Sequence, residues 1–216
     1  MEEESGTDIE ALIQRLRLYQ PAPSPYAGGN PSAAVPPSPA VAAAGGELFR
    51  PRRAAVLVCL FRGGDGELRV LLTKRSSALS THSGEVALPG GKAEEGDAND
   101  AATALREAKE EIGLDSALVT VVASLEHFLS KHLLVVVPVV GILSDVQAFK
   151  PVLNVDEVDS IFDVPLEMFL KVGIVILLLS FHFANKRTTQ ISRHLCDRNY
   201  DKLGWHIYDI CKLTPK

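Results

Sequence analysis

Three carboxylates in the run Arg106-Glu107-Ala108-Lys109-Glu110-Glu111 stand at i, i+3 and i+4. A helix through them places Glu107, Glu110 and Glu111 on one face. Like charges at that spacing repel and destabilise a bare helix. A hard divalent cation such as Mg²⁺ or Mn²⁺ takes oxygen ligands and is commonly shared with substrate phosphates, which turns the repulsion into a binding site. The stretch therefore points to metal-assisted chemistry on a phosphate compound. The competing reading is a solvated helix face with Glu–Lys pairs, and an EAKEE run alone does not separate the two. The context does. Leu88-Pro89-Gly90-Gly91 comes before the helix and Gly113-Leu114 ends it. Gly90 and Gly91 permit φ > 0 and close backbone approach, so their amides can meet a phosphate oxygen or position a ligand. Arg106 is expected to pair with Asp97 or another carboxylate and hold the loop onto the helix. Arg75 and Lys74 follow a strand and read either as exposed charges or as contacts for the 3′-phosphate or diphosphate of a nucleotide, since a guanidinium matches phosphate geometry. Glu126, Asp156 and Glu157 lie near strand ends, where any of them could complete a metal site. On base rate they are surface residues, and His82 is a solvated side chain.

The elements that must position these residues can be read from pattern. Asn99 or Asp100 caps a helix over Ala101–Ile112, which Gly113 ends at C′. Ala54–Phe61 is an apolar run that reads as a buried strand. Gly63-Gly64-Asp65-Gly66 is a turn, and Leu68–Thr73 completes a hairpin. Ser76–Gly84 is a polar loop, and Glu85–Leu88 is a brief strand running into the Pro-Gly-Gly turn. Leu118–Leu125 is β-rich. Leu133–Leu143 has the continuous apolar character of a strand covered on both faces, with Pro138 a local irregularity. Val158–Phe162 is a further short strand, and Pro165 opens a short helix over Leu166–Lys171. Towards the N-terminus, Asp8 caps an amphipathic helix to Tyr19 whose Ile9, Leu12, Ile13 and Leu16 share a face. That helix lacks a Lys-rich polar face and is expected to pack on the domain or a partner rather than on a membrane. Strands mixed with one central helix and a late one indicate an α/β or α+β sandwich with a mixed sheet.

Gly91 followed by Arg106-Glu107-Ala108-Lys109-Glu110-Glu111-Ile112-Gly113-Leu114 resembles the Nudix box, G-x5-E-x7-R-E-U-x-E-E-x-G-U, where U is apolar. Ala108 is a small residue at the first U. The acidic position of the first half falls on Asp97, and eight residues rather than seven separate it from Arg106. This expansion, and the Asp itself, look like the coenzyme A diphosphatase branch of the family. Leu71-Leu72-Thr73-Lys74-Arg75-Ser76 and then His82-Ser83-Gly84-Glu85-Val86-Ala87-Leu88-Pro89-Gly90-Gly91 resemble that branch's coenzyme A–associated signature. Leu88 replaces the more usual Phe, and His82 stands where an Arg is often found. Within the family the chain is similar to plant coenzyme A hydrolases. The resemblance implies a Nudix α/β/α sandwich in which Glu107, Glu110, Glu111 and Arg106 carry catalysis and the three glutamates hold Mg²⁺ or Mn²⁺. Arg75, Lys74, Gly90 and Gly91 would meet substrate, with Asp97 in a supporting place and Glu126 and Glu157 kept as candidates from their positions near strand ends. The implied activity is hydrolysis of the diphosphate of coenzyme A or its thioesters to 3′,5′-ADP and (acyl-)4′-phosphopantetheine. Alternatives are another nucleoside diphosphate derivative, such as ADP-ribose or NADH, or a metal- or nucleotide-binding isoform impaired in turnover.

Composition bounds the rest. The chain has 216 residues, of which 46% are hydrophobic, enough for one domain with extras. A net charge of −5 and a pI near 5.7 leave no general basic surface and argue against nucleic acid as partner. The expected partner is a small nucleotide substrate, and a homodimer is compatible with that. Cys59, Cys196 and Cys211 lack metal-ligand spacing, and Cys59 reads as a core residue. An odd count without a framework suits a reducing compartment. The acidic N-terminus is neither a secretory signal nor an ordinary transit peptide, and Thr-Pro-Lys at the end is no peroxisomal address. The cytoplasm is the expected location, with mitochondria and peroxisomes as alternatives. Residues 1–19 form the helical arm, and 20–46, rich in Pro, Ala and Gly, form a linker. The Nudix-like domain runs from 47 to 171, and 172–216 is an atypical tail. VGIVILLL at its start falls short of the roughly 20 residues that span a bilayer. Its abrupt onset suggests an alternative transcript or a retained intron.

Overall fold

The computed structural model describes residues 3–21, 52–130 and 133–168. The linker, the tail from 172, and most of the expected helix over Leu166–Lys171 lie outside the described residues. In chain order the elements are α1 (Glu3–Leu18), β1 (Arg53–Arg62), β2 (Leu68–Arg75), β3 (Val86–Ala87), β4 (Gly90–Lys92) and α2 (Asp100–Ile112). A 3₁₀ turn at Ser116–Leu118 leads into β5 (Val119–Ser124), followed by β6 (Phe128–Leu129), β7 (Val135–Leu143) and β8 (Val158–Pro165).

All eight strands belong to one mixed sheet, whose main path runs β3-β2-β1-β7-β5. The β1–β7 pair is parallel, from Arg53↔Val135 to Leu60↔Ile142. The other pairs are antiparallel. Every residue of β7 is buried, as a continuous apolar run between two neighbours and two helical layers requires. Pro138 sits opposite Val56. It donates nothing, and its carbonyl accepts from the Leu125 amide at 2.8 Å. The ladder's irregularity falls instead on the partner, β5, between Val121 and Ala123.

The feature that positions the site is a fork. The β1–β2 hairpin pairs only over Leu60↔Val70, Phe61↔Arg69 and Arg62↔Leu68 before the strands part. The segment after the polar loop fills the gap. Val86–Ala87 joins β2 at Lys74 and Thr73, and Gly90–Lys92 joins β1 at Val56, Ala55 and Ala54. The Pro-Gly-Gly stretch expected as a turn is therefore part turn and part strand. Only a residue without Cβ fits at Gly90: its φ is +152°, and an added Cβ would run into the Ala55 carbonyl oxygen and the Val56 Cα.

Alternation along β1 divides the core. Val58 and Leu60 pack with Leu12 and Leu16 of α1, while Ala55, Leu57, Cys59 and Phe61 pack with Ala104, Ala108 and Ile112 of α2. Leu12 and Leu16 are fully buried, each worth roughly 1.5–3 kcal/mol of burial. Ile9 and Ile13 flank them, so the expected apolar face is the one that packs. The helix begins at Glu3, ahead of the expected cap at Asp8. The N-terminal helix thus packs on the domain as a layer of the sandwich. Cys59 is buried and its thiol is pushed up to about 12 by desolvation, in keeping with a core role. Pro165 ends β8 opposite Arg69, where its missing N–H is tolerated, and helix begins two residues later at Glu167.

Candidate active site

α2 starts and stops as its sequence dictates. The Asn99 side chain accepts from the Ala102 amide, and Gly113, at φ 71°, closes the helix in the left-handed conformation. Beyond it, the Val152 and Asn154 amides donate to the Ile112 and Glu111 carbonyls at 3.0 and 2.9 Å. These bonds satisfy the helix end and bring the segment before β8 alongside.

The charged residues then fall into two groups. Arg106 is the hub of the first. It makes a double contact with Asp97, through Nε at 3.0 Å and Nη2 at 3.1 Å, and reaches the Lys92 carbonyl at 2.9 Å. It also touches Glu107 at 3.2 Å and Glu110 at 3.1 Å. Asp97 further accepts from the Glu94 amide and the Thr103 hydroxyl, both at 2.9 Å. Arg106 first, and the Glu94 amide second, hold the Asp97 carboxyl well below the usual carboxylate range. The loop is thereby lashed to the helix, with Asp97 as the partner of Arg106 despite the extra residue between them.

Glu111 and Glu107 form the second group. Glu111 is 2% exposed, a position where a charge is costly unless partnered. Its Oε2 accepts from the Gly90 amide at 3.1 Å and its Oε1 lies 3.6 Å from Arg75 Nη1. Desolvation still raises its pKa to about 7, assisted by repulsion from Glu107 and Glu157. Burial likewise raises Glu107, with Glu110 and Glu157 adding to it. Gly91 is what admits Glu107: a Cβ there would overlap the Glu107 carboxyl group. The two glycines have different duties. Gly90 lends an amide to one carboxylate, and Gly91 leaves room for the other.

The fork thus brings Glu107 and Glu111 together, with Glu157 close enough to repel both. Glu110 stands on the solvent side, 57% exposed and held by Arg106. Asp156 is exposed. Glu126 is exposed between β5 and β6, where its charge bears on His127. Among the described residues no three acidic, histidine or cysteine side chains form a closed metal-ligand set as they stand; Arg106 engages both Glu107 and Glu110. The donor chemistry nonetheless suits a hard cation: carboxylate oxygens only, mutually repelling, beside a cradle kept open by Gly91.

Arg75 leads to a cavity of ≈ 720 Å³ on the α1 side of the sheet, lined also by Arg52, Ala54, Val56, Thr81, His82, Gly90, Gly91, Lys92, Leu133, Leu134 and Val136. Arg75 Nε is buried with no partner among the described residues. His82, at φ 55°, contacts Glu85 through Nδ1 at 2.8 Å and belongs to the lining rather than to open solvent. Lys74, one residue from Arg75 across an irregularity in the β2–β8 register, lies 3.7 Å from Asp159. It does not line the cavity. Sequence reasoning overlooked Arg52 and Lys92. The available signal was Arg52-x-Ala54-x-Val56, a cation in phase with one face of a strand.

The fold and site define a mixed α/β/α sandwich built round a glycine loop and an acidic helix. A NUDIX domain profile matches residues 51–169, just over half of the sequence, and the chain belongs to the Nudix family. Nudix hydrolase 15, mitochondrial, of Arabidopsis thaliana is 69% identical over 125 residues, covering 58% of this chain and 44% of that protein. Peroxisomal coenzyme A diphosphatase NUDT7 of Mus musculus is 45% identical over 116 residues, covering 54% and 48%. The chain spans about half the length of these curated relatives. A Caenorhabditis elegans Ap4A hydrolase binary complex aligns at a TM-score of 0.46 with 22% identity, over 60% of this chain and 95% of that one.

Proposed function

We propose that the protein hydrolyses the diphosphate of coenzyme A or its thioesters, releasing 3′,5′-ADP and (acyl-)4′-phosphopantetheine, with Mg²⁺ or Mn²⁺ bound by Glu107, Glu110 and Glu111. The observation that carries this reading is the position of Glu111, buried between the Gly90 amide and Arg75, two residues that also line the cavity. The name of the mouse relative, a coenzyme A diphosphatase, and the signature over residues 71–91 support coenzyme A over ADP-ribose or NADH.

A divalent cation, when bound, supplies positive charge against the diphosphate and lowers the pKa of water. The chain's own residues do the remainder. Arg75 presents a guanidinium with an unsatisfied Nε to a phosphate oxygen. The Gly90 amide fixes the Glu111 carboxylate, and Arg106 with Asp97 fixes the loop that carries the glycines. Burial raises the metal-free Glu111 carboxyl to about 7, and a bound cation would hold it ionised. The test is to incubate the full chain with coenzyme A and Mg²⁺ or Mn²⁺ and resolve the products. Formation of 3′,5′-ADP supports the reading. Turnover of ADP-ribose or NADH in preference to coenzyme A would replace it.

A further inference from the structure

We infer that Arg52 and Lys92 form an anion subsite, separate from the scissile diphosphate, that selects substrates carrying an additional phosphate. This rests on the hydrolase reading above and deepens it.

Strand register places the two cations together. Ala54 lies opposite Lys92 on one side and opposite Val136 on the other, so the three side chains stand in a row on one face of the sheet. Arg52 is two residues before Ala54 and shares its face. The Val135 amide donates to the Arg52 carbonyl at 2.9 Å, which continues the ladder to that point. Arg52 and Lys92 are then diagonal neighbours, a relation of about 7–8 Å between backbones that long side chains easily bridge. Between them Ala54 projects only a methyl group, leaving a floor over which an anion can sit.

Both side chains are exposed to the cavity, and no acidic residue among the described ones lines it. Among the described residues neither Arg52 nor Lys92 has an acidic partner. Their neighbours differ. Arg53 faces the other way and is fixed to Asp100 at 2.7 Å, Lys74 lies near Asp159, and Arg75 lies near Glu111. Two like charges at diagonal positions on one face repel in the empty protein, and an anion relieves the repulsion. One wall is apolar. Leu134 and Val136 continue it, and Leu133, 52% exposed, is held over the rim at a positive φ of 58°. The turn that holds it is tied by Ser130, whose hydroxyl accepts from the Leu134 amide at 3.1 Å. Two cations beside an apolar wall suit a phosphorylated nucleoside, with the base or sugar against Leu133 and the phosphate over Ala54.

Coenzyme A and dephospho-coenzyme A differ only in the remote phosphate, so they isolate this contact. The full chain should prefer coenzyme A in kcat/KM by about tenfold or more, the scale of a charge-assisted contact. Arg52→Ala and Lys92→Ala should each remove most of that preference through KM, with kcat held and dephospho-coenzyme A unaffected. Arg52→Lys should keep part of the preference. Adenosine 3′,5′-bisphosphate, titrated by calorimetry without metal, should bind the wild type and lose about tenfold in affinity in either alanine variant. Equal use of both substrates by the wild type, or a preference unchanged by the variants, overturns the subsite while leaving the reaction standing. Absence of turnover on both substrates defeats the reaction, and the bisphosphate titration then decides the subsite by itself.

Discussion

The two faces of the sheet treat charge in opposite ways. On the α2 side the charged groups that bind loop to helix are paired: Asp97 with Arg106, Asp100 with Arg53, Glu110 with Arg106. On the α1 side, beyond the buried contacts of Leu12 and Leu16, the cavity shows Arg52, Lys92 and part of Arg75, with no acid lining it among the described residues. The first arrangement is self-contained and stiff, as positioning of reactive groups requires. The second is incomplete until an anion arrives. The difference separates holding a constellation in place from recognising what enters it. The partition is clean at Arg52 and Arg53, where one step along a strand changes the face and with it the role.

The sharpest way to break this contrast is Glu111→Gln. It should lower metal-dependent hydrolysis by about 10²- to 10⁴-fold while leaving the fold intact, and wild-type-like turnover would remove Glu111 from the mechanism. The sign of its effect on stability is also defined. A folded-state pKa raised to about 7 means that stability is fully present below the ordinary glutamate value of about 4.3 and falls as pH rises to about 7. Without metal, the variant should therefore melt no lower than wild type at pH 8.

Leu12→Ala tests the opposite layer. It should cost about 2–5 kcal/mol in denaturant unfolding, because Leu12 is fully buried against the sheet. A loss below about 0.5 kcal/mol, ordinary for a surface site, would mean that α1 is not part of the sandwich. Asp97→Asn should cost about 1–3 kcal/mol near neutral pH. The Asp97 pKa is lowered in the folded state, so its contribution is present above about pH 3.9 and disappears as pH falls through the folded value. Thermal melts of the two proteins should accordingly converge on acidification, and a gap that widens would contradict the Arg106 assignment. The smallest effect expected is that of Gly91→Ala. The added methyl meets the flexible end of Glu107 rather than backbone, so the melting temperature should hold while kcat drops by about tenfold. A matching loss of stability would show that the glycine serves the fold more than the carboxylate.

Local pattern made much of this molecule legible. The Asn99 and Gly113 ends of α2, the β1–β2 hairpin, the buried β7 and the Leu12–Leu16 stripe all follow from periodicity and capping, which act within a few residues. β4 and β6 escaped. Gly90–Lys92 and Phe128–Leu129 have no strand pattern of their own and are strands only because β1 and β7 offer unpaired edges at those points. Pro165 closes β8 just before helix begins at Glu167, since its φ suits a strand end and a helix approach equally. At the site, the spacing of Glu107, Glu110 and Glu111 predicted a shared face and nothing about burial. Glu107 and Glu111 turned inward, and Glu110 remained in solvent.

The sequence by itself determined which residues carry charge, where helices begin and end, and that two glycines had to precede an acidic helix, because those are matters of chemistry and short-range sterics. Only the tertiary structure decided which of these charges meet. The splitting of β1 from β2 put Gly90 beside Glu111 and Gly91 beside Glu107, and the alternation of one strand sent Arg53 to Asp100 and Arg52 into the cavity. Such pairings join residues up to 47 positions apart, where burial and register, rather than neighbouring residue types, decide the contact.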